Sequence, residues 1–275
     1  MNIRLISEGD FEKLFHAFKA AFTDNAVKLQ PTRDEFSYRI HKKLKFNMDI
    51  SAVGFDGNEM TGFILHSSNL YQGIPTAYNG GTGVLPGFRN QKMAEKMYEF
   101  LIPKIQAKFL ARILLEVVEG NQKAISLYEK IGFTFKRRFH CYKLTETFKL
   151  DSDILITEGK ISEVNFNFND FEPSFIDSSE HLKIGNEKVL LAKDQSEVIG
   201  YVIMQPHLGR ISQLAVSGFH RSKGVGEALV SAAQAAAKKP LTIMNIPDDE
   251  FGFDAFLKKC GFQNQVNQYE MELII

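Results

Sequence analysis

Val84-Leu85-Pro86-Gly87-Phe88-Arg89-Asn90-Gln91-Lys92-Met93-Ala94 in the first half of the chain is answered by Val216-Ser217-Gly218-Phe219-His220-Arg221-Ser222-Lys223-Gly224-Val225-Gly226 in the second. Each stretch follows an apolar run, Gly62-Phe63-Ile64-Leu65 or Gly200-Tyr201-Val202-Ile203. Each precedes a Gly-Phe pair, Gly132-Phe133 or Gly261-Phe262. A strand, an Arg-led loop, a helix and a Gly-Phe close were therefore laid down twice. The 275 residues suit one large domain or two. The duplication decides for two, spanning 1–146 and 151–275, with the junction in 145–153.

The loop has a physical logic. A strand ends at Val216, a turn follows, and a helix begins whose first N–H groups have no intrahelical acceptor. Gly224 and Gly226 let those amides approach an anion closely, and the helix dipole favours negative charge there. The loop suits a pyrophosphate. It is neither a Walker A motif nor a Rossmann fingerprint, because the glycine and Lys-Ser/Thr spacings differ. Arg89 and Arg221 suit either of two roles, donating to phosphate or holding the loop shut through carbonyl contacts.

Around the loops the pattern is that of a mixed α/β fold. An opening strand over Asn2–Ser7 precedes a helix from Asp10, its expected N-cap, to Phe22, with Phe11, Leu14, Phe15, Phe18 and Phe22 on one face. Thr32–Leu44 reads as a second helix opened by a capping box, Thr32 to Glu35. Strands follow at 50–55, 60–67 and 76–85, the last carrying Gly80-Gly81, which reads as a bulge or a close backbone approach. Met93, Met97, Phe100, Leu101 and Ile105 form the inward face of a helix from Gln91 to Ala107, which Pro103 should kink. Ile113–Val118 is an apolar strand interrupted by Glu116. Asn121–Ile131 is a short helix ended by Gly132. A strand pair over 133–144 closes the half. In the second half, Asp194–Ile203 aligns with Asp56–Leu65 without a gap. The path from that hairpin to the Arg loop is then six residues shorter (Ile203 to Val216 against Leu65 to Val84). The extra piece in the first half, within Asn69–Gly81, reads as a wall of an acceptor site or as a tolerated surface insertion.

Net charge is zero and hydrophobic content 44%, so each half can bury a core, and neither a nucleic-acid nor an anionic-membrane surface is expected. Lys136-Arg137-Arg138 reads as a solvated strand end. Cys141 and Cys260 are too few for a disulfide framework and belong to no metal-spaced cluster, so no metal is expected. The N-terminus lacks the apolar run of a signal peptide, and no stretch approaches the length needed to span a bilayer. A reducing, cytoplasmic setting follows.

The Val-x-Pro-x-Phe-Arg loop and its helix, then Leu115-Glu116-Val117, then Asn121-x-x-Ala124-x-x-Leu127-Tyr128-x-x-x-Gly132-Phe133, together resemble the GCN5-related N-acetyltransferase (GNAT) superfamily, in two tandem copies covering most of the chain. The resemblance implies two acyl-CoA N-acyltransferase domains, each a mixed sheet with helices on both faces. It implies acetyl-CoA as cosubstrate, its pantetheine arm lying like a strand beside Thr82, Gly83 and Val84. The pyrophosphate would rest on the amides of Arg89, Asn90, Gln91, Lys92, Met93 and Ala94. In the second copy the matching positions are Val216, Arg221, Ser222, Lys223, Gly224, Val225 and Gly226. Asn121 would contact CoA, and Tyr128 would be the general acid.

The copies depart from the pattern in different places. The first has Lys92 and Ala94 where the family has glycines but keeps Asn121 and Tyr128. The second keeps the glycines, but Glu250 stands for Asn121, Asn245 for Glu116, and Leu257 for Tyr128, and leucine donates no proton. Amine acetylation from a thioester needs the ammonium deprotonated, the carbonyl polarised and the thiolate protonated. Tyr128 can supply that proton. Glu116, its pKa raised in an apolar strand, reads as the base or as half of an ion pair; a water chain could replace it. His140 and His220 are weaker candidates. The expected function is acetyl transfer to a primary amine of a small molecule or peptide, with the active site in the first domain. The alternatives are an active second domain or a non-catalytic acetyl-CoA sensor. The chain is expected to act as a monomeric pseudo-dimer of its halves or as a homodimer.

Overall fold

The computed structural model describes residues 2–23, 30–148, 150 and 152–275; Lys149 and Asp151 of the expected junction lie outside them. The chain forms two compact units: everything up to Lys136 together with Glu270–Ile275, and Arg137–Tyr269.

The first unit runs β1 (Asn2–Leu5), α1 (Phe11–Ala21), α2 (Arg33–Ser37), β2 (Ala52–Asp56), β3 (Glu59–Tyr71), β4 (Ile74–Val84), α3 (Met93–Gln106), β5 (Arg112–Val118) and α4 (Gln122–Ile131). β1 to β4 form an antiparallel meander, and β5 joins β4 in parallel. The phenylalanines of α1 face the sheet: Phe18 and Phe22 meet Phe63, and Phe11, Phe15 and Phe18 meet Phe36 of α2. The opposite face carries α3. There Gly62 makes room, since a Cβ on it would come within 3.1–3.3 Å of the Met93 and Met97 side chains. Gly200 does the same for the second unit's corresponding helix, against Val225 and Leu229 at 3.2 Å. The glycine heading each repeated strand is thus a helix-docking position.

The chain crosses into the second unit along β6 (Thr134–Leu144). There follow β7 (Leu155–Gly159), α5 (Ser179–Lys183), β8 (Lys188–Asp194), β9 (Glu197–Gln205), β10 (Arg210–Val216), α6 (Val225–Ala236), β11 (Thr242–Pro247) and α7 (Phe251–Lys259). β7 to β10 are antiparallel neighbours, and β10 meets β11 in parallel. One core packs α6 and α7 on the sheet around Leu229, Val230 and Leu257; the other face buries Leu182, Tyr201 and Ile203 under residues 161–168. β12 (Phe262–Ile274) then returns the chain to the first unit.

Several local expectations need correcting. Residues 133–144 form one strand, and its later part pairs antiparallel with β11, Tyr142 opposite Ile243. The first unit is instead completed beside β5 by Glu270–Ile274, where Arg112 binds Glu272 at 2.7 Å and the Ile275 amide bonds the Ala111 carbonyl. Alternation along a strand fixes which face is apolar but not which edge it joins. Asn69–Gly81 is not a loop: it continues β3 and β4 around a turn with Gln72 and Gly73 at φ 54° and 73°. The Asp10 carboxylate caps no helix amide of α1, because Arg4 and Ser7 occupy it. The helix opened by Thr32 has its capping box, but after Ser37 it continues as a π-helical turn to Lys43. Lys136, Arg137 and Arg138 are engaged, with Glu272, the Glu172 carbonyl and Asp248 respectively.

Candidate active site

β4 and β5 are paired only from Thr76–Arg112 to Asn79–Leu115, and beyond that they part. The parting begins at the Gly80-Gly81 bulge, where Leu65 lies opposite Gly81 and His66 opposite Asn79, leaving Gly80 extra. The extra residue shifts the alternation, so Asn79 and Thr82 share a face and the Asn79 amide reaches Thr82 Oγ1 at 2.7 Å. On that face the same amide donates to the Tyr98 hydroxyl at 2.5 Å, and Asn79 Oδ1 accepts from the Gly81 amide at 2.9 Å.

Tyr128 comes up to this group from α4. Its ring stands edge-on to Tyr98 (6.4 Å) and Phe133 (5.5 Å), on the side of Thr82 and Asn79. Burial pushes the Tyr128 phenol above its ordinary range, and the polar side chains of Thr82 and Asn79 act against the rise. Asn121 places the helix: its side chain accepts from the Ala124 amide at 3.2 Å, and Gly132 ends the helix at φ 111°. Glu116 is the first β5 residue past the paired stretch. It lies on the other face with Tyr78, whose hydroxyl donates to Glu116 Oε2. The parting is thus bordered by a phenol on one face and a carboxylate on the other.

Both Arg-led loops adopt one backbone shape. Asn90 and Lys92 have φ 62° and 58°; Ser222 and Gly224 have φ 58° and 84°. Lys92 and Gly224 each lead directly into a helix, and neither N-cap residue's side chain bonds the first amides of α3 or α6. The arginines hold the shape. Arg89 Nε donates to the Val84 carbonyl and Arg221 Nε to the Val216 carbonyl, each at 3.2 Å. Arg89 also reaches the Ala21 carbonyl at 2.9 Å, and Arg221 forms an ion pair with Asp170 at 2.6 Å. Met93 and Ala94 are buried against the sheet, Gln91 is exposed, and Gly83 is pressed on Phe63. Gly226 has a packing partner too, the Phe256 ring 2.8 Å from where a Cβ would stand.

The acetyltransferase (GNAT) family profile matches residues 11–133, and a GNAT domain profile matches residues 185–264. The chain is a tandem member of the GNAT acetyltransferase family. An N-alpha-acetyltransferase 30 of Dictyostelium discoideum is 28% identical over 97 residues, 35% of this chain and 52% of that protein. An acetyltransferase of Pectobacterium atrosepticum is 28% identical over 133 residues, 48% of this chain and 87% of that one. The chain thus spans about half of the first relative's length and most of the second's. Among solved structures, a tandem GNAT protein from the clavulanic acid biosynthesis pathway shares the fold at a TM-score of 0.72 and 10% identity, over 99% of this chain and 98% of that one. A GCN5-related N-acetyltransferase from Sphaerobacter thermophilus does so at 0.73 and 11%, over 99% and 95%.

The second GNAT copy has the same parting, β10 leaving β11 after Ile211 and Ile243, with a cleft there bordered by Phe171, Gln213, Asn245 and Phe253. Its own chain ties that cleft up. Asn245, at the position of Glu116, donates to Ser174 Oγ at 3.0 Å. Gln213 donates to the Asp177 carbonyl at 2.6 Å and accepts from Tyr201 and Asn169. Leu257, at the position of Tyr128, is wholly buried in the core. Glu250, in place of Asn121, makes no cap bond; burial and the carboxylates of Asp249 and Asp170 raise its pKa.

Asn79, Tyr98 and Tyr78 escaped the sequence reading. Tyr98, not the half-buried Phe100, is the inward aromatic of α3. The one available signal was a lone asparagine before two glycines in an apolar strand. His140 bonds Tyr142, and His220 sits on an exposed turn. Among the described residues no cluster suits a metal ion, and no helix is long and apolar enough to cross a membrane.

Proposed function

We propose that this tandem GNAT protein transfers an acetyl group from acetyl-CoA to a primary amine at the parting of β4 and β5. The observation that carries the reading is the position of Tyr128: the first unit aims a hydroxyl at the parting, where the second has Leu257. The amides of Lys92, Met93 and Ala94, at the positive end of α3, suit the pyrophosphate, with Arg89 holding the turn. Thr82 to Val84, free of β5, offer backbone to a pantetheine arm. Acetyl-CoA supplies the activated acyl group; the residues supply the proton traffic. Glu116 takes the proton of the amine as the N–C bond forms, and Tyr128 gives its proton to sulfur as the C–S bond breaks. Because these groups lie on opposite faces, the amine enters from the face of α1 and α2.

The relatives named for N-alpha acetylation favour a peptide amine among the acceptors. The second unit then does no chemistry. A second reading, in which the second unit is the CoA binder, draws on Gly224, which holds the positive-φ loop position without strain. Two buried free thiols, Cys141 and Cys260, fit a reducing cytoplasm.

Thiol release from acetyl-CoA with a panel of amines and peptides, alongside calorimetric binding, tests the reading. Tyr128→Phe should lower turnover by about 10²- to 10⁴-fold while binding survives. A silent Tyr128→Phe with activity abolished by Gly224→Glu would move the site to the second unit. Clear binding without turnover on any acceptor would leave a sensor.

A further inference from the structure

We infer that the second unit's Arg-led loop is closed to a pyrophosphate by its own chain: the strap of residues 165–178 holds the Asp170 carboxylate on Arg221, in the place a phosphate would take. The inference rests on the proposed reading in one respect, that this chain takes acetyl-CoA. It adds that only the first loop receives it.

The two glycines that make the second loop look open have other uses. Lys92 holds the same left-handed position as Gly224, at φ 58° against 84°, so the shape of the loop does not depend on glycine. Gly226 makes room for the Phe256 ring, 2.8 Å from where its Cβ would stand. Neither glycine therefore argues for an anion.

Asp170 argues against one. Its Oδ1 lies 2.6 Å from Arg221 Nη1, and Arg221 Nη2 donates to the Phe168 carbonyl at 3.4 Å. A partly exposed ion pair adds little stability, and a phosphate competes well for an arginine. The strap decides the contest, because it is fastened on both sides of Asp170. Asn169 donates to Gln213 Oε1 at 3.2 Å and accepts from the Tyr201 hydroxyl at 2.9 Å. The Phe171 ring stands edge-on to Phe253 of α7 at 5.4 Å. Arg137 donates to the Glu172 carbonyl at 2.8 Å, and Ser174 Oγ accepts from Asn245 at 3.0 Å. Farther along, Asp177 forms a buried ion pair with Arg210 at 2.5 Å. Asp170 cannot swing away, so a phosphate at this loop would meet a fixed carboxylate.

Glu250 adds to the same field. It stands at the entry of α7, where its carbonyl accepts from the Asp254 amide at 3.0 Å. Burial raises its pKa, and the charges of Asp249 and Asp170 raise it further. The first unit has Asn121 at the matching entry, and Lys123 in the helix where the second has Gly252. A neutral cap and a cation in one copy thus correspond to an anion in the other.

The test is calorimetric titration of the full chain with CoA, and with the nucleotide half of CoA (pyrophosphate kept, pantetheine arm removed). Wild type should take one CoA per chain, and Lys92→Glu should weaken it by about tenfold or more. Asp170→Asn with Glu250→Gln should uncover a further site for the nucleotide half, about tenfold or more tighter than any at the wild-type loop. Adding Gly224→Glu should remove the gained site. Both opening changes are isosteric and only half-buried, and urea unfolding checks that each variant is folded. A second CoA on the wild type, lost in Gly224→Glu, overturns the closure and leaves the proposed reaction standing. So does an opened chain that gains no site. If the single CoA survives Lys92→Glu and is lost in Gly224→Glu, the second loop holds it and both ideas are overturned. If the wild type binds no CoA, the reading and the inference fall together.

Discussion

Exchanging the residues at the two helix entries, Lys92→Gly and Gly224→Lys, should move stability in opposite directions. Both positions are left-handed, at φ 58° and 84°. A side-chain-bearing residue there costs about 1–2 kcal/mol, while glycine gives back about 0.5–1 kcal/mol through its looser unfolded state. The backbone balance is thus about 0.5–1 kcal/mol in favour of glycine. Sterics add nothing at Gly224, since the nearest atom to a new Cβ is Ile154 Cδ1 at 4.0 Å. A cation at a helix N-terminus opposes the dipole by a further ~0.3–1 kcal/mol. Lys92→Gly should therefore stabilise by about 1 kcal/mol, and Gly224→Lys destabilise by about as much or slightly more. Urea unfolding reads this as a change in midpoint at constant slope, and hydrogen exchange assigns it to the unit carrying the mutation. Added salt screens the charge part and leaves the backbone part, so the difference should shrink but persist. A neutral or stabilising Gly224→Lys would refute the shared left-handed loop. So would loss of the whole effect at high salt.

Glu272→Ala leaves the buried Arg112 guanidinium unpaired and should cost about 3 kcal/mol in chemical unfolding, the low end for a buried pair because Glu272 keeps some exposure. Asp10 is held well below its ordinary pKa, chiefly by the Arg4 hydrogen bonds and then by Ser7, with burial opposing. Its stabilisation is complete above the unfolded value of 3.8 and is lost as pH falls below it, so Asp10→Asn should lower the midpoint at neutral pH and flatten its fall in acid. Gly226→Ala forces a methyl group onto the Phe256 ring and should cost about 1–3 kcal/mol by thermal unfolding. Adding Phe256→Leu should recover part of it, and a double-mutant cycle measures that coupling.

The architecture was legible where chemistry depends on neighbours in sequence. The Arg-led loop and the Gly132 stop are local devices, and each took the conformation its residues require. So did the Gly80-Gly81 bulge. What the bulge accomplishes was not legible, because the face on which Thr82 lands depends on one extra residue in one strand, and its partner Tyr98 comes from another element. The second copy shows the same limit. Leu257 announced the loss of a proton donor, but nothing in residues 165–178 announced that Ser174 and Asp177 would bind Asn245 and Gln213. Those contacts join residues far apart in the chain, and no periodicity encodes them.

The allotment of Glu270–Ile275 to the first unit makes that unit discontinuous, with all of Arg137–Tyr269 between its parts. On the ribosome, the residues bearing Tyr128 emerge early but lack their last strand until the second unit has been made. Arg112 waits through that interval for Glu272. The second unit is contiguous and can fold as it emerges. The half proposed to do the chemistry is therefore completed last, and its assembly is timed by the synthesis of the other half.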